Sequence, residues 1–538
     1  MIRGRLTVAG PVADASAAGA ARPGAPRRVV IVGAGMAAAR LAEELRAGQP
    51  DSAALEVTVL GAEPDEPYNR IMLSHAVAEG GANAGGATAG GAAMSAVARL
   101  KPTGWWERSA VELRTSAQVI AIDRASREVM LADGSRIAYD HLVLATGAQP
   151  RIPPIAGIRV ERAESVGPDG AALAPGAFTL RDAADGRALT AHLAATPGPV
   201  AVVGGGFIGL EVACALAAAG REVTVVHPRD RPMNSVLDAG AGAVLVRALA
   251  ALGIRVRTRV RATVWDGRGL VLDDDDVVVA STVVLTAGQA ARTDLARDAG
   301  LEVGDGIVVD DELATSDPAI SAIGDCAEHR GSVGGVVAPA WEQATVLAAR
   351  LTGDDPGARY VGATQVTRLK AFGLDVVALG ELALGELAGG DVGGVGAGRA
   401  AECDCCRVES TTISEPARGR YARVDVAGGK VVGAVLVGHP EPVGTLTQLY
   451  ESALPVPDDV VSVILGRAEA VSAATPATMP AAAVVCRCNG VSKSDLVAAW
   501  GDGARDQAGL AERTRAGTGC GGCASAVEGI CGWLRDAS

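Results

Sequence analysis

Two segments of the chain share one pattern: a run of β-branched residues that ends in clustered glycines and continues into an alanine-rich stretch. The first is Arg28-Val-Val-Ile-Val-Gly33, followed by Ala-Gly35-Met-Ala-Ala38. The second is Val200-Ala-Val-Val-Gly204, followed by Gly-Gly206-Phe-Ile-Gly209. Each run is predicted to be a buried parallel strand entering a tight turn, with helices over 37–47 and up to Ala219. The return strands are expected at Glu56-Val-Thr-Val-Leu-Gly61 and Glu222-Val-Thr-Val-Val-His227. Both are βαβ units with G-x-G-x-x-G/A in the required place. The first glycine permits the turn, and the second lets backbone approach a pyrophosphate. The third small residue packs helix on sheet, and the helix N-terminus faces the phosphates. Two such units imply two dinucleotide-binding domains.

Glu63 lies near the end of the first unit's second strand, placed to accept from a ribose hydroxyl. In the second unit that place holds His227, with Arg229, Asp230 and Arg231 just beyond. A carboxylate there would select NADH, whereas arginines suit a 2′-phosphate, so both NADH and NADPH stay open. Three distant segments add to the first site. They are Tyr139-Asp-His-Leu-Val-Leu-Ala-Thr146-Gly147, Thr315 to Gly324-Asp325, and Pro67-Tyr-Asn-Arg70-Ile-Met-Leu-Ser74. All three resemble segments of the flavoprotein pyridine-nucleotide reductases. The resemblance implies FAD at the first site: Asp325 on its ribityl chain, Thr146-Gly147 beside it, and the Arg70 loop near the flavin. It implies NAD(P)H at the second site, with Glu211 as in that family. Hydride transfer between the two needs alignment and exclusion of water rather than a general base.

Four cysteines near the C-terminus form a second constellation: Cys486-Arg-Cys488, then Cys520-Gly-Gly-Cys523. Two close pairs of thiolates suit a metal centre. A one-residue gap is tight for zinc and suits an iron–sulfur cluster; structural zinc and a disulfide pair are the alternatives. The flanks Val484-Val-Cys-Arg-Cys-Asn489 and Gly517-Thr-Gly-Cys-Gly-Gly-Cys523 resemble the small 2Fe–2S domain of bacterioferritin-associated ferredoxin. That resemblance implies a 2Fe–2S cluster on Cys486, Cys488, Cys520 and Cys523. No cysteine precedes Cys214, so thiol–disulfide chemistry beside the flavin is not expected. Cys214, Cys326 and Cys531 are expected to pack in the interior, while Cys403, Cys405 and Cys406 have no assigned role.

The net charge of −13 argues against a nucleic-acid partner. No long apolar run predicts a membrane span, and residues 1–26 lack the features of a signal peptide. Ten cysteines, four of them in one motif, fit a reducing cytoplasm.

Thr367-Arg-Leu-Lys-Ala-Phe-Gly373 resembles a segment in the FAD/NAD(P)H portion of the large subunit of assimilatory nitrite reductases. Related flavoproteins deliver electrons to assimilatory nitrate reductase. That family holds sirohaem and a 4Fe–4S cluster with Cys-x5-Cys and Cys-x3-Cys, spacings that do not follow Cys523 here. The resemblance therefore implies the electron-input half, with a nitrate or nitrite reductase catalytic subunit as protein acceptor. The alternatives are a free-standing NAD(P)H:ferredoxin or rubredoxin reductase and, outside enzymes, a redox-sensing or cluster-storage module.

The expected fold class is α/β, with two doubly wound Rossmann-type domains, a small α+β domain and a terminal 2Fe–2S domain. The expected order is a disordered tail over 1–26, an FAD domain over 27–154 and 283–355, and an NAD(P)H domain over 155–282. The small domain should follow over 356–465, then a linker over 466–482 and the cluster domain over 483–535. Residues 80–97 and 388–399 read as flexible loops, and Asp273–Asp276 as a solvated hairpin tip.

Overall fold

The computed structural model describes residues 26–47, 54–74, 77, 99–161, 171–363, 366–371, 373–380, 382, 408–467, 476–486, 489–517 and 523–537. The expected tail up to residue 25, both expected loops, Cys403, Cys405, Cys406, Cys488 and Cys520 lie outside the described residues.

The first nucleotide unit forms a five-stranded parallel sheet. Its spatial order is Ile320–Ala322, His141–Leu144, Arg27–Val32, Leu55–Leu60 and Val111–Arg114. Val29, Val30 and Ile31 are almost wholly buried, as expected of parallel strands covered on both faces. The helix Met36–Ala47 turns Ala38, Leu41, Ala42 and Leu45 inward and packs against the helix Val337–Thr352.

The second sheet is also parallel, in the order Ala177–Thr179, Thr282–Leu285, Val200–Val203, Val223–His227 and Ile254–Thr258. The division expected at 282/283 falls inside one of its strands. The chain leaves this sheet only after Leu285, and the crossing is made by Gln289–Ala291 pairing antiparallel with Ala148–Pro150. The acidic stretch Asp273–Asp276 does form a hairpin tip, but Arg257 pairs with both Asp274 and Asp276.

Val366–Ala371, Leu374–Gly380, Lys430–Val437, Arg420–Ala427 and Val408–Glu415 make an antiparallel sheet in that order. Helices Val443–Glu451 and Val460–Ile464 accompany it. Its Leu369, Val376, Val435 and Val437 share one core with Val200, Leu210 and Leu245 of the second unit. Tyr68 and Leu73 of the expected flavin loop, and Val77 just after it, enter that same core.

The last unit pairs Val484–Cys486 with Val491–Ser492 and adds helices Lys493–Gly501, Gln507–Thr514 and Ala524–Asp536. Ser492 and Asp495 close a reciprocal capping box on the first helix. The end of the expected linker belongs to this unit: Met479 packs on its core, and the buried Lys493 amine donates to Met479 O at 2.7 Å. Among the described residues, no helix is long and apolar enough to cross a membrane.

Candidate functional site

The two glycine turns repeat one geometry. Gly33 has φ +110°, and a Cβ there would lie 2.1 Å from Ala145 O. Gly204 has φ +116°, and a Cβ would lie 2.3 Å from Thr286 O. Each first glycine therefore threads its turn against the end of a neighbouring strand, where only glycine fits. Two residues on, the situation reverses: a Cβ on Gly35 or Gly206 would meet nothing within 4 Å. At the third position Ala38 is fully buried, and a Cβ on Gly209 would lie 2.0 Å from Gly204 O. The helix Phe207–Ala218 begins at Gly206 with no side-chain cap, so its first N–H groups are left for another acceptor. Open space at the middle glycine beside uncapped N–H groups fits a pyrophosphate.

Around the first turn the structure brings together segments far apart in sequence. Ala145 touches the Gly33 turn and leads into Thr146, whose hydroxyl donates to Arg292 O at 2.9 Å. Gly147 follows with φ +70°. Gly324 has φ +79°, its ideal Cβ lies 3.0 Å from Ala37 Cβ, and its N–H donates to the buried Gln343 Oε1 at 2.7 Å. Asp325 is thereby set at the sheet's edge beside the same helix. Glu63 is also present, but engaged: it pairs with Arg70 and accepts from Tyr68 Oη at 2.7 Å. The Arg70 guanidinium lies over the Tyr68 ring at 5.0 Å, and burial pushes the Tyr68 phenol well above its usual range.

Sequence reasoning missed Arg181. Its guanidinium donates to Asp325 Oδ2 at 2.8 Å, to Gln289 Oε1 at 2.7 Å and to Ala148 O at 3.0 Å. Its own carbonyl accepts from Arg70 Nη1 at 2.9 Å. One side chain thus ties Asp325 to both strands of the crossing. The available signal was local: Arg181 precedes Asp182, which caps the helix Ala183–Ala195. Its partners Arg70, Gln289 and Asp325 each lie more than a hundred residues away, and Ala148 lies 33 away, so no pattern is left nearby.

At the second site Glu211 accepts from the buried Ser74 hydroxyl at 3.1 Å, which joins the flavin-side loop to the second glycine helix. His227 lies beneath the glycine turn. Its Nδ1 accepts from Gly205 N–H at 3.1 Å, and Nε2 faces Asn234 Oδ1 at the same distance, so Nε2 carries the proton. Burial lowers its pKa, which keeps the ring neutral. Arg231 is turned away, to Leu237 O at 2.9 Å and to Asp230. Arg229 is exposed beside the turn.

In the last unit Cys486 and Cys523 are both buried in the core. The Asn489 amide lies 3.8 Å from Cys486 Sγ and donates to Arg515 O at 2.5 Å. Cys523 stands at the start of the helix Ala524–Asp536 without a side-chain cap, where a thiolate is favoured. Two buried sulfurs met by an amide donor and a helix N-terminus fit a cluster; Cys488 and Cys520 lie outside the described residues. Cys531 is buried in that helix. Cys214 and Cys326 are also buried, and burial pushes the Cys214 thiol up to about 12. The Cys326 thiol donates to Leu144 O at 3.4 Å, a packing arrangement.

Comparison with known proteins bears on both constellations. The model of the family described as pyridine nucleotide-disulphide oxidoreductase matches residues 27–346, and that of the BFD-like [2Fe-2S] binding domain matches 484–532. The chain is 34% identical over 430 residues to the nitrite reductase [NAD(P)H] large subunit of Klebsiella oxytoca, covering 78% of this chain and 41% of that protein. It is 28% identical over 513 residues to the assimilatory nitrate reductase electron transfer subunit of Bacillus subtilis, covering 94% of this chain and 59% of that protein. The chain thus spans about half the length of the curated relatives it matches first. Among solved structures, the ferredoxin reductase for the CYP199A2 system from Rhodopseudomonas palustris superposes with a TM-score of 0.64 at 28% identity, covering 80% of this chain and 95% of that one. With its two nucleotide turns inside the first match and its cysteine loop inside the second, the chain belongs to the pyridine nucleotide-disulphide oxidoreductase family, an FAD- and NAD(P)H-dependent flavoprotein family, and carries a BFD-like 2Fe–2S domain after it.

Proposed function

We propose that this chain is a cytoplasmic electron-transfer subunit of nitrate assimilation, taking electrons from NAD(P)H and passing them through its cluster domain to a protein acceptor. The acceptor we favour is the catalytic subunit of an assimilatory nitrate reductase, with nitrite reductase second. One observation carries the reading: Gly33, Ala145–Gly147 and Gly324–Asp325 converge at one turn, while a second such turn and the buried Cys486 and Cys523 lie in the same chain. The relatives named above supply the process in which that apparatus is used.

When bound, FAD takes hydride from NAD(P)H, and a 2Fe–2S cluster carries electrons singly. In this reading Gly35, Ala38 and the helix from Met36 receive the FAD pyrophosphate, and Glu63 accepts from its ribose. Thr146, Gly147 and Asp325 line the ribityl side, with Arg181 holding the Asp325 carboxylate in place and Arg70 anchoring the loop before it. Gly204, Gly206 and Gly209 receive NAD(P)H, and Glu211 is fixed by Ser74. The crossing strands hold the two sites in register, so orientation rather than a proton-transferring side chain does the work. Cys486, Cys488, Cys520 and Cys523 ligate the cluster.

The test is anaerobic turnover of the isolated protein. With NAD(P)H it should reduce ferricyanide and show no acceleration by nitrate or nitrite. Adding the catalytic subunit should restore anion reduction at a rate that falls with salt, since an acidic chain docking a basic patch is electrostatically steered. Nitrite or ammonium formed stoichiometrically by this polypeptide alone would contradict the reading.

A further inference from the structure

Among the described residues, the cluster domain meets the flavin-side unit at Arg40, Trp341 and Ile71, the first of these on the helix that leaves the first glycine turn. A Cβ on Gly490 would lie 2.6 Å from Arg40 Nη1 and 3.5 Å from Trp341 Cζ3. Gly490 stands four residues after Cys486, with φ +64°. Arg40 lies in the first turns of the helix that begins at Met36, directly after the Gly33 turn. Trp341 lies in the first turns of the helix that begins at Val337, after Gly324-Asp325. The third contact is Ile71, beside Arg70, which packs on the core formed by Cys486, Cys523 and Val527.

Arg40 is built to hold this position. It pairs with Glu43 at 2.9 Å and with Glu44, and its guanidinium lies 5.9 Å from the centre of the Trp341 ring. The carboxylates neutralise its charge and fix its rotamer, so its planar face is presented as a shelf. Arg40 Nε and Trp341 Nε1 are buried with no hydrogen-bond partner among the described residues. Two donors withdrawn from water side by side mark a surface that is covered rather than solvated.

We propose that this shelf is a resident docking surface for the chain's own cluster loop, with Arg40 as its positioning residue. This rests on the cofactor reading above. While Gly490 is seated there, the cluster domain lies against the helix that leaves the first glycine turn, so an external one-electron protein is served from the cluster domain and not from the flavin. The balance is one NAD(P)H giving one NAD(P)⁺, one proton and two electrons. The two electrons cross to the cluster in succession and leave as two one-electron reductions of the external acceptor.

The experiment compares the full chain with Arg40→Gln and Arg40→Lys by hydrogen–deuterium exchange, with circular dichroism to verify folding. In Arg40→Gln, exchange should rise at least about tenfold, an opening roughly 1.4 kcal/mol easier, in the amides of residues 484–499 and 337–345 and stay unchanged in the second sheet. Arg40→Lys should fall between, since it keeps the charge but not the flat face. Anaerobic stopped-flow should then show flavin bleaching by NAD(P)H unchanged and the cluster phase slowed by a similar factor in Arg40→Gln. Unchanged exchange and an unchanged cluster phase in folded Arg40→Gln would overturn the proposal. A preparation lacking flavin or iron would instead count against the cofactor reading, while the exchange comparison would still decide the docking.

Discussion

Gly33 and Gly35 stand two positions apart and are glycine for different reasons. At Gly33 the backbone needs φ +110° and a side chain would strike Ala145 O, so Gly33→Ala should cost several kcal/mol and give largely unfolded protein. At Gly35 a side chain meets only open space. Gly35→Val should therefore keep its urea midpoint, within about 0.5 kcal/mol of stability, yet purify without yellow colour. Gly206→Val should keep its flavin and raise the KM for NAD(P)H instead; equal flavin loss in both variants would show that the two turns are not divided as assigned. A different residue governs the acid side. His141 is buried between Arg27 Nη2 at 3.2 Å and Ser321 Oγ at 3.0 Å, and burial, then the Arg27 charge, lower its pKa to about 3. The unfolded chain binds the proton near 6.5, so stability from this neutral ring is present above that pH and is lost as pH falls toward about 3. His141→Gln should flatten part of the rise in urea midpoint between about pH 4 and 6.5, a window above most carboxylate titrations. An unchanged slope would remove His141 from the account. The glycines were legible in the sequence because each answers to a local backbone demand. His141 was not, because its surroundings come from strands far apart in the chain.

At the scale of elements, joints were harder to read than the elements they connect. The β-branched runs and the glycine turns placed two strands of each parallel sheet to within a residue or so, while Val111–Arg114, Ala177–Thr179 and Ile254–Thr258 carried no such signal. They did not show that Thr282–Leu285 stays with the second sheet, because a fully buried strand looks alike in either one. The small domain's seat was equally hidden. Asp238 caps the helix Ala239–Ala251 through Ala241 N–H at 2.8 Å. Its other oxygen accepts from Tyr421 Oη at 2.6 Å and pairs with Arg423 at 3.3 Å, both from the antiparallel sheet. Arg423 in turn holds Asp425, which has no exposed surface. Burial, then the bond to Asp238, raise the Tyr421 phenol above its usual range, so it stays a donor. Tyr421→Phe should cost about 1 kcal/mol in chemical denaturation. Asp238→Ala removes a cap and leaves a half-buried arginine and a buried phenol each short of one partner, so roughly 2–4 kcal/mol is expected. If the two variants cost the same, the cap and the domain contact are not sharing one carboxylate in solution.

For the whole molecule, the motifs gave the inventory of units and the structure gives their adjacency. Two nucleotide turns and a cysteine loop imply a linear path, but no pattern in the chain says that Gly490 sits on Arg40, or that Ile71 of the flavin-side loop enters the cluster domain's core. Those contacts depend on shape rather than on period or spacing. The central claim is that electrons enter at the second glycine turn, cross at the first and leave only through the cluster cysteines. Cys520→Ser tests it most directly, because it removes an expected cluster ligand and leaves the sequence of both nucleotide motifs unchanged. Under anaerobic conditions, two-wavelength stopped-flow should follow flavin and cluster after mixing with NAD(P)H. The account predicts flavin bleaching at the same rate in wild type and Cys520→Ser, within about twofold. It predicts cluster bleaching and reduction of the protein acceptor in wild type alone, with iron and sulfide in the wild-type protein. Loss of flavin bleaching in a folded, flavin-loaded Cys520→Ser, or zinc in place of iron in anaerobically prepared wild type, would contradict it.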